Sequence, residues 1–424
     1  MKCLILFFSI CAQALFSQNI EECKRRFNTY LNFKGGLSPY VKFDKNAIHL
    51  YTPGGKKDFS IYENELPALM FFLQNSTYQE QLAFWNAKSR GQAIQPEHKA
   101  KFKQGPSKTK TGSKPLQGYR IAIDPGHFAT SLKEAAFEQK YLYFEAKKTN
   151  FPYDSVKIFE SALSFNTAIV LKAMLEKEGA EVFLSREQNN FTSFNCTYSE
   201  WMQRNKNRVL DSLQKAGKLS ATKKASLQKA SPYDLFWDFF RDFDLQHRAE
   251  KINRYHPDIC MIIHYNVDEK NAPWKAFSEK DFTMAFIGGG FTAGNLSKTE
   301  MKINFLRLLL SPQLDLSSEL ASKTVQQFHK QLGIPIAKPK DAKYLWESSM
   351  ASPSAGVYSR NLLLCRQINS VLVYGEALYQ DNAKEAEELM KWELNQEGIL
   401  TNHRLKKVAE SYFEGLMNYV KANN

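Results

Sequence analysis

Two histidines stand where a sheet would present them to a ligand. His127 follows Asp124-Pro125-Gly126, which breaks the apolar run Ile121-Ala122-Ile123. His264 ends a second run, Ile259-Cys260-Met261-Ile262-Ile263. Short apolar runs of this kind read as buried strands, and proline with glycine stops the first one in a tight turn. Open α/β sheets gather their chemistry at the carboxyl ends of such strands. Two imidazoles at strand ends, in a chain with 8 histidines, point to a metal site.

The elements that must position them alternate along the chain. After a strand at Arg120–Ile123 the spacing predicts a helix over about Glu160–Gly179, then a strand over Glu181–Ser185. A helix over about Leu245–Tyr255 leads into the strand ending at His264. Gly356–Cys365 and Ser370–Tyr374 read as further strands, and a helix over about Arg404–Val420 closes the chain. This alternation predicts an α/β fold: a layered sheet with helices on both faces, helical insertions and a small N-terminal region. The insertions are 187–244, with an aromatic cluster at Tyr233–Phe243, and 273–350. The first leaves just after Arg186 and returns before the helix leading to His264. It is therefore expected to form a helical flap beside the site. Residues 18–98 form an N-terminal region whose role the sequence does not disclose. Residues 99–115, rich in lysine, serine, glycine and proline, read as a basic flexible linker. The catalytic part is expected over 116–424.

Residues 1–17 read as a signal peptide: Lys2, an apolar stretch Leu4–Ile10, then Ala12-Gln13-Ala14 as a cleavage site. The stretch is too short to span a bilayer, and no later one is long and apolar enough. Cys11 raises the question of lipidation, but Ile10 before it is bulky for such a site. The expectation is an exported, soluble protein of the periplasm or cell envelope. A formal net charge of +13 on an exported chain points away from nucleic acid and toward anionic wall polymers or membrane surfaces. Beyond the leader there are four cysteines, Cys23, Cys196, Cys260 and Cys365, with no C-x-x-C pair. Export permits disulfides, but Cys260 and Cys365 lie in apolar runs and read as core thiols.

Five blocks in order resemble the zinc-dependent N-acetylmuramoyl-L-alanine amidases of the amidase-3 family, which cleave peptidoglycan. They are Ile121–His127, Glu160–Phe165, Glu181–Arg186, Leu245–Arg248 through Asn253 to Ile262–Asn266, and Val371–Val373 leading to Glu376, Tyr379 and Asn382. The resemblance covers about Leu116–Asn424. It implies zinc held by His127, Glu160 and His264, with Glu376 as the catalytic carboxylate. It implies peptidoglycan as the partner, with an activator protein as a further candidate. The chain departs from the pattern in four places. Phe128-Ala129 follow the first histidine, where the family has glycines. The gap from His127 to Glu160 is long and holds Glu134, Glu138 and Glu145, which compete with Glu160 as ligand. Tyr374-Gly375 separate the strand from Glu376, and 187–244 is an added segment.

The residue types fit that chemistry. A hydrolytic zinc site needs three protein ligands and an open position, and its charge acidifies a bound water. A separate carboxylate then takes the water proton and hands one to the departing amine. Glu376 fits that role. Arg248 is a candidate for a substrate carboxylate, or lies on a solvated helix face. Asn266 is a candidate for substrate contact or for orienting His264, or caps the next turn. His49, His98, His247, His256, His329 and His403 read as surface groups. The reading is an exported zinc hydrolase of the muramoyl–alanine amide. Its rivals are a decayed, wall-binding or activating relative, and a zinc amidohydrolase acting on another wall amide.

Overall fold

The computed structural model describes residues 19–89, 113–147, 151–271, 274–394, 398 and 400–423. The expected leader, residues 1–17, and residues 99–112 of the expected linker lie outside them. The described chain opens with helix Ile20–Arg26, followed by three short strands, β1 Val41–Phe43, β2 Ala47–Tyr51 and β3 Lys57–Tyr62, paired antiparallel. Helices Leu66–Asn75 and Tyr78–Ser89 follow. Next come β4 Arg120–Pro125, a hairpin of β5 Tyr141–Glu145 and β6 Ser155–Phe159, and β7 Glu181–Leu184. Then come β8 Ile259–Asn266, β9 Met284–Gly288, β10 Ser349–Ala351, β11 Val357–Arg360 and β12 Val371–Tyr379.

Seven strands form the central sheet in the order β10-β11-β9-β12-β8-β4-β7. β12, β8, β4 and β7 run parallel, and β9 turns the direction by pairing antiparallel with β12. Alternation along each strand explains why both faces are covered. Ile121, Ile123, Ile259, Met261 and Ile263 enter one core with helices Glu160–Lys177, Gln313–Leu332 and His403–Asn423. Ala122, Cys260 and Ile262 enter another, under helices Arg241–Tyr255 and Leu363–Gln367. The expected α/β layering with helices on both faces is the observed fold.

Several boundaries differ. Gly356–Cys365 is a strand only through Arg360. Leu363–Gln367 then forms a helical turn whose apolar residues plug the second core rather than extend the sheet. The segment 273–350 is more than an insertion, because it supplies β9 inside the sheet and β10 at its edge. The N-terminal region shares the main core: Phe27, Leu31, Leu69 and Trp85 are buried with Leu306 and Leu309 of helix Thr299–Leu310. By contrast, 187–244 lies outside the sheet as a helical lobe with its own aromatic core. Tyr198, Trp201, Phe236 and Phe240 of that lobe pack on Phe128, Ala129 and Phe159. Cys23, Cys196, Cys260 and Cys365 are all free thiols. No described helix is long and apolar enough to cross a membrane.

The intervening Tyr374-Gly375 need no bulge. β12 pairs residue for residue with β8 from Val371 opposite Ile259 to Glu376 opposite His264, and the irregularity comes only after Glu376. Gly375 is there because a Cβ would collide with the Tyr412 hydroxyl, which donates to the carbonyls of Gly375 at 3.0 Å and Ile262 at 3.3 Å. Gly375→Ala is expected to lower stability by about 1–3 kcal/mol through overpacking. Urea unfolding checks this. Adding Tyr412→Phe, which removes the first colliding atom, is expected to recover part of the loss.

Candidate metal centre

His127 leaves β4 through a turn that only glycine allows at its centre. A Cβ on Gly126 would strike the His264 ring, and the Gly126 amide donates to the Ile263 carbonyl at 2.9 Å. The turn is thus stitched to β8 one residue before His264. His127 itself takes φ 60°, a left-handed conformation unusual for a side-chain residue, so the turn is held under strain. Two arginines hold it. Arg186 donates to the carbonyls of Pro125 (3.1 Å) and Gly126 (3.4 Å). Arg248 donates to those of Pro125 (3.0 Å) and His127 (3.2 Å).

Glu160 is the first residue of helix Glu160–Lys177, and its carboxylate joins the two histidines. One oxygen lies 2.9 Å from His264 Nδ1 and 3.2 Å from His127 Nε2, and accepts the Tyr265 amide at 3.3 Å. The other accepts Gln380 Nε2 at 3.3 Å. The imidazole planes stand nearly perpendicular, with centroids 4.8 Å apart. The Tyr374 ring stacks on His264 at 4.4 Å. Ligand atoms of His127, Glu160 and His264 all lie within 4.8 Å of one another. Two nitrogens and one carboxylate oxygen form a donor set that suits zinc with an open position.

Electrostatics make the same point. Burial opposes charging of His127, yet the carboxylates of Glu160 and Glu138 outweigh it and push the imidazole up to about 9. Glu160, though burial works against it, is held well below the ordinary carboxylate range by His127 and by the imidazole hydrogen bonds. Burial and the His127 charge lower His264. The pocket among the donors favours a positive charge, which a proton on His127 supplies and a divalent cation would supply better.

Of the glutamates competing with Glu160, Glu138 has a different part. Its carboxylate lies 2.9 Å from His127 Nδ1 and accepts the amides of Phe128 and Ala129 at 3.2 Å. It orients the imidazole from behind, as carboxylates behind ligating histidines do. The Phe128-Ala129 departure fits here: both amides serve Glu138, and both side chains anchor the lobe. Glu134 is occupied by Ser199. Glu145 is exposed on β5.

Glu376 sits opposite His264 on β12, so both project from one sheet face. One carboxylate oxygen is buried with no hydrogen-bond partner among the described residues. Burial, then the negative charge of Glu160, pushes its carboxyl up to about 8. That is the range a proton-transfer group needs near neutrality.

Arg248 does not lie on a solvated helix face. It is 2 % exposed, with its nitrogens on Asp244, Pro125 and His127, because the helix carrying it packs under the β4 turn. Asn266 is half-buried and does not orient His264. Its amide nitrogen donates to Tyr344 Oη at 2.7 Å and its oxygen accepts the Val267 amide at 2.8 Å. Three histidines read as surface groups have partners instead. His49 meets Ser60 and Asp44, His247 stacks on Phe194, and His329 bonds the Ile334 carbonyl.

The family model described as N-acetylmuramoyl-L-alanine amidase matches residues 121–415, well over half of the chain. No curated protein matches the sequence. Solved structures similar to it include the CwlD amidase of Clostridioides difficile in complex with the GerS lipoprotein. That match has 13% identity and a TM-score of 0.40, covering 72% of this chain and 99% of that one. The N-acetylmuramyl-L-alanine amidase Ami1 of Mycobacterium smegmatis matches at 12% identity and a TM-score of 0.39, covering 72% and 99%. The catalytic domain of CwlV from Bacillus (Paenibacillus) polymyxa var. colistinus matches at 13% and 0.36, covering 72% and 98%. On the family match, with the five sequence blocks converging on one site, the chain belongs to the N-acetylmuramoyl-L-alanine amidase family, the hydrolases that cut the amide between muramic acid and the peptide in peptidoglycan.

Proposed function

We propose that the protein is an exported, zinc-dependent amidase that works on peptidoglycan in the periplasm or cell envelope. The observation that carries the zinc reading is the His127–Glu160–His264 donor set, with Glu160 and His264 buried and His127 half-buried, beside the unpartnered carboxyl oxygen of Glu376. Export rests on the leader-like residues 1–17. An activator protein belongs to the same proposal, because unrestrained cutting of the wall would lyse the cell.

His127, Glu160 and His264 would hold the ion, and Glu138 fixes the tautomer of His127 from behind. Zinc held there supplies positive charge that polarises the scissile carbonyl and acidifies water. Glu376 takes a proton from the water that attacks the carbonyl carbon. It then gives that proton to the alanine nitrogen as the carbon–nitrogen bond breaks. The products are a muramic acid carboxylate and a peptide with a free α-amine. Burial raises the basicity of Glu376 for the first transfer, and the backbone pairing of β12 with β8 keeps it beside His264.

His127→Ala and His264→Ala are expected to lose both zinc and activity, measured as metal per chain after dialysis. A variant that keeps full zinc occupancy removes that residue from the ligand set. Glu138→Gln is expected to weaken zinc affinity by about 10–100-fold and to lower stability as well, since it also takes a charge from the arginine network. Glu376→Gln is expected to keep its zinc and lose turnover by about two to four orders of magnitude. The assay is release of free N-terminal L-alanine from purified peptidoglycan. Near-normal release by Glu376→Gln would end its assignment as the proton carrier.

A further inference from the structure

The hairpin that lengthens the His127–Glu160 gap also carries a cation to the edge of the site. β5 and β6 pair antiparallel with Tyr141 opposite Phe159. One step beyond, the Glu160 amide donates to the Lys140 carbonyl at 3.2 Å. Lys140 is therefore tied through its backbone to Glu160, one step past the end of the strand pair. The Lys140 charge bears on both acids of the site: it adds to the lowering of Glu160 and opposes the rise of Glu376.

Its surroundings are built rather than incidental. Gln139 before it takes φ 54° and closes helix Leu132–Glu138. Trp274, from the 273–350 segment, donates its indole N–H to the Gln139 carbonyl at 3.0 Å. The same ring lies under the Lys140 ammonium, 6.0 Å from Nζ to the centroid. Two excursions of the chain thus meet to seat one lysine. Lys140 is half-buried and forms no ion pair with a described residue. An ammonium held on an aromatic face beside a catalytic centre, with no carboxylate of its own, is poised for an anion from outside.

We propose that Lys140, seated on Trp274, binds a free carboxylate of the peptide stem and so makes the enzyme selective for the un-amidated stem. This rests on the amidase reading. In peptidoglycan the residue after the scissile L-alanine is a glutamic acid linked through its γ-carboxyl. Its α-carboxyl is therefore either free or amidated. A lysine pairs with the free acid and gains no ion pair from the amide, whereas the zinc ligands and Glu376 act on the scissile bond alone.

The test uses the full zinc-loaded chain and two soluble muramoyl tripeptides that differ only in that α-carboxyl, free or amidated. Wild type is expected to favour the free acid by about tenfold in kcat/KM, with the difference in KM, the scale of a partly exposed charge pair. Lys140→Gln is expected to bring the ratio near one with zinc content retained, and Lys140→Glu to reverse it. A wild-type ratio of one overturns the proposal. So does a Lys140→Gln variant that slows both substrates alike and keeps the ratio, since that is what a structural role gives. Cleavage of neither tripeptide by the zinc-loaded wild type overturns the amidase reading itself, and this inference with it.

Discussion

Arg186 and Arg248 bind three consecutive backbone carbonyls, those of Pro125, Gly126 and His127, from a position almost without solvent. Two guanidinium groups side by side in a core are unfavourable alone: burial and the neighbouring Arg248 push Arg186 down to about 9. Three buried or nearly buried carboxylates compensate. Asp244 bonds Arg248 at 2.8 Å, Asp124 lies 3.6 Å from it, and Glu138 contributes charge from the far side of the turn. Removing one member of such a group strands the others, at a cost of about 3–5 kcal/mol. The left-handed backbone of His127 persists because this network over-determines it. Every other contact of that imidazole depends on the turn staying put.

The remaining site residues arrive from elements that meet at the carboxyl ends of β4, β8 and β12. His264 and Glu376 need nothing beyond strand pairing, since the register places them opposite one another. Glu160 comes from the opposite layer, at the N-terminus of a helix whose dipole favours its charge. The helical lobe then bears on both sides of the centre. Its aromatic core contains Phe128 and Ala129, next to His127, and Phe159, next to Glu160. A shift of that lobe would be felt at two donors together, so its packing is part of the site's rigidity.

How much of this was legible follows from the range of each interaction. His127 and His264 announced themselves through local pattern, an apolar run and then a break. The layering of the sheet followed from strands apolar on both faces. Glu160 and Glu376 could be assigned only through the resemblance, because nothing near either residue singles it out. The place of Arg248 is not legible locally because its partners lie across the fold, 121 and 123 residues away at His127 and Pro125. Glu138 was noticed as a rival ligand. Its support of His127 depends on a short helix that local periodicity did not reveal. β9 is not legible in the sequence because the run Met284–Gly288 is short and runs into Gly289-Gly290.

The acids of the site differ by what each is given as a partner, and this separates their chemical parts. Glu138, Glu160 and Glu376 are all withdrawn from water, which alone would raise all three. Glu138 faces His127 and the Phe128 amide, and it is lowered. Glu160 faces two imidazoles and is lowered further. Glu376 has Glu160 as its strongest charged neighbour, and the pulls of Lys140, His127 and Arg360 do not offset that and its burial, so it alone rises. When neighbouring carboxylates are driven apart in this way, the lowered ones suit the permanent charge a ligand needs, and the raised one suits a proton that comes and goes. The division does not depend on any one residue's identity, because all three are glutamates. It is imposed by which strand or helix end each occupies.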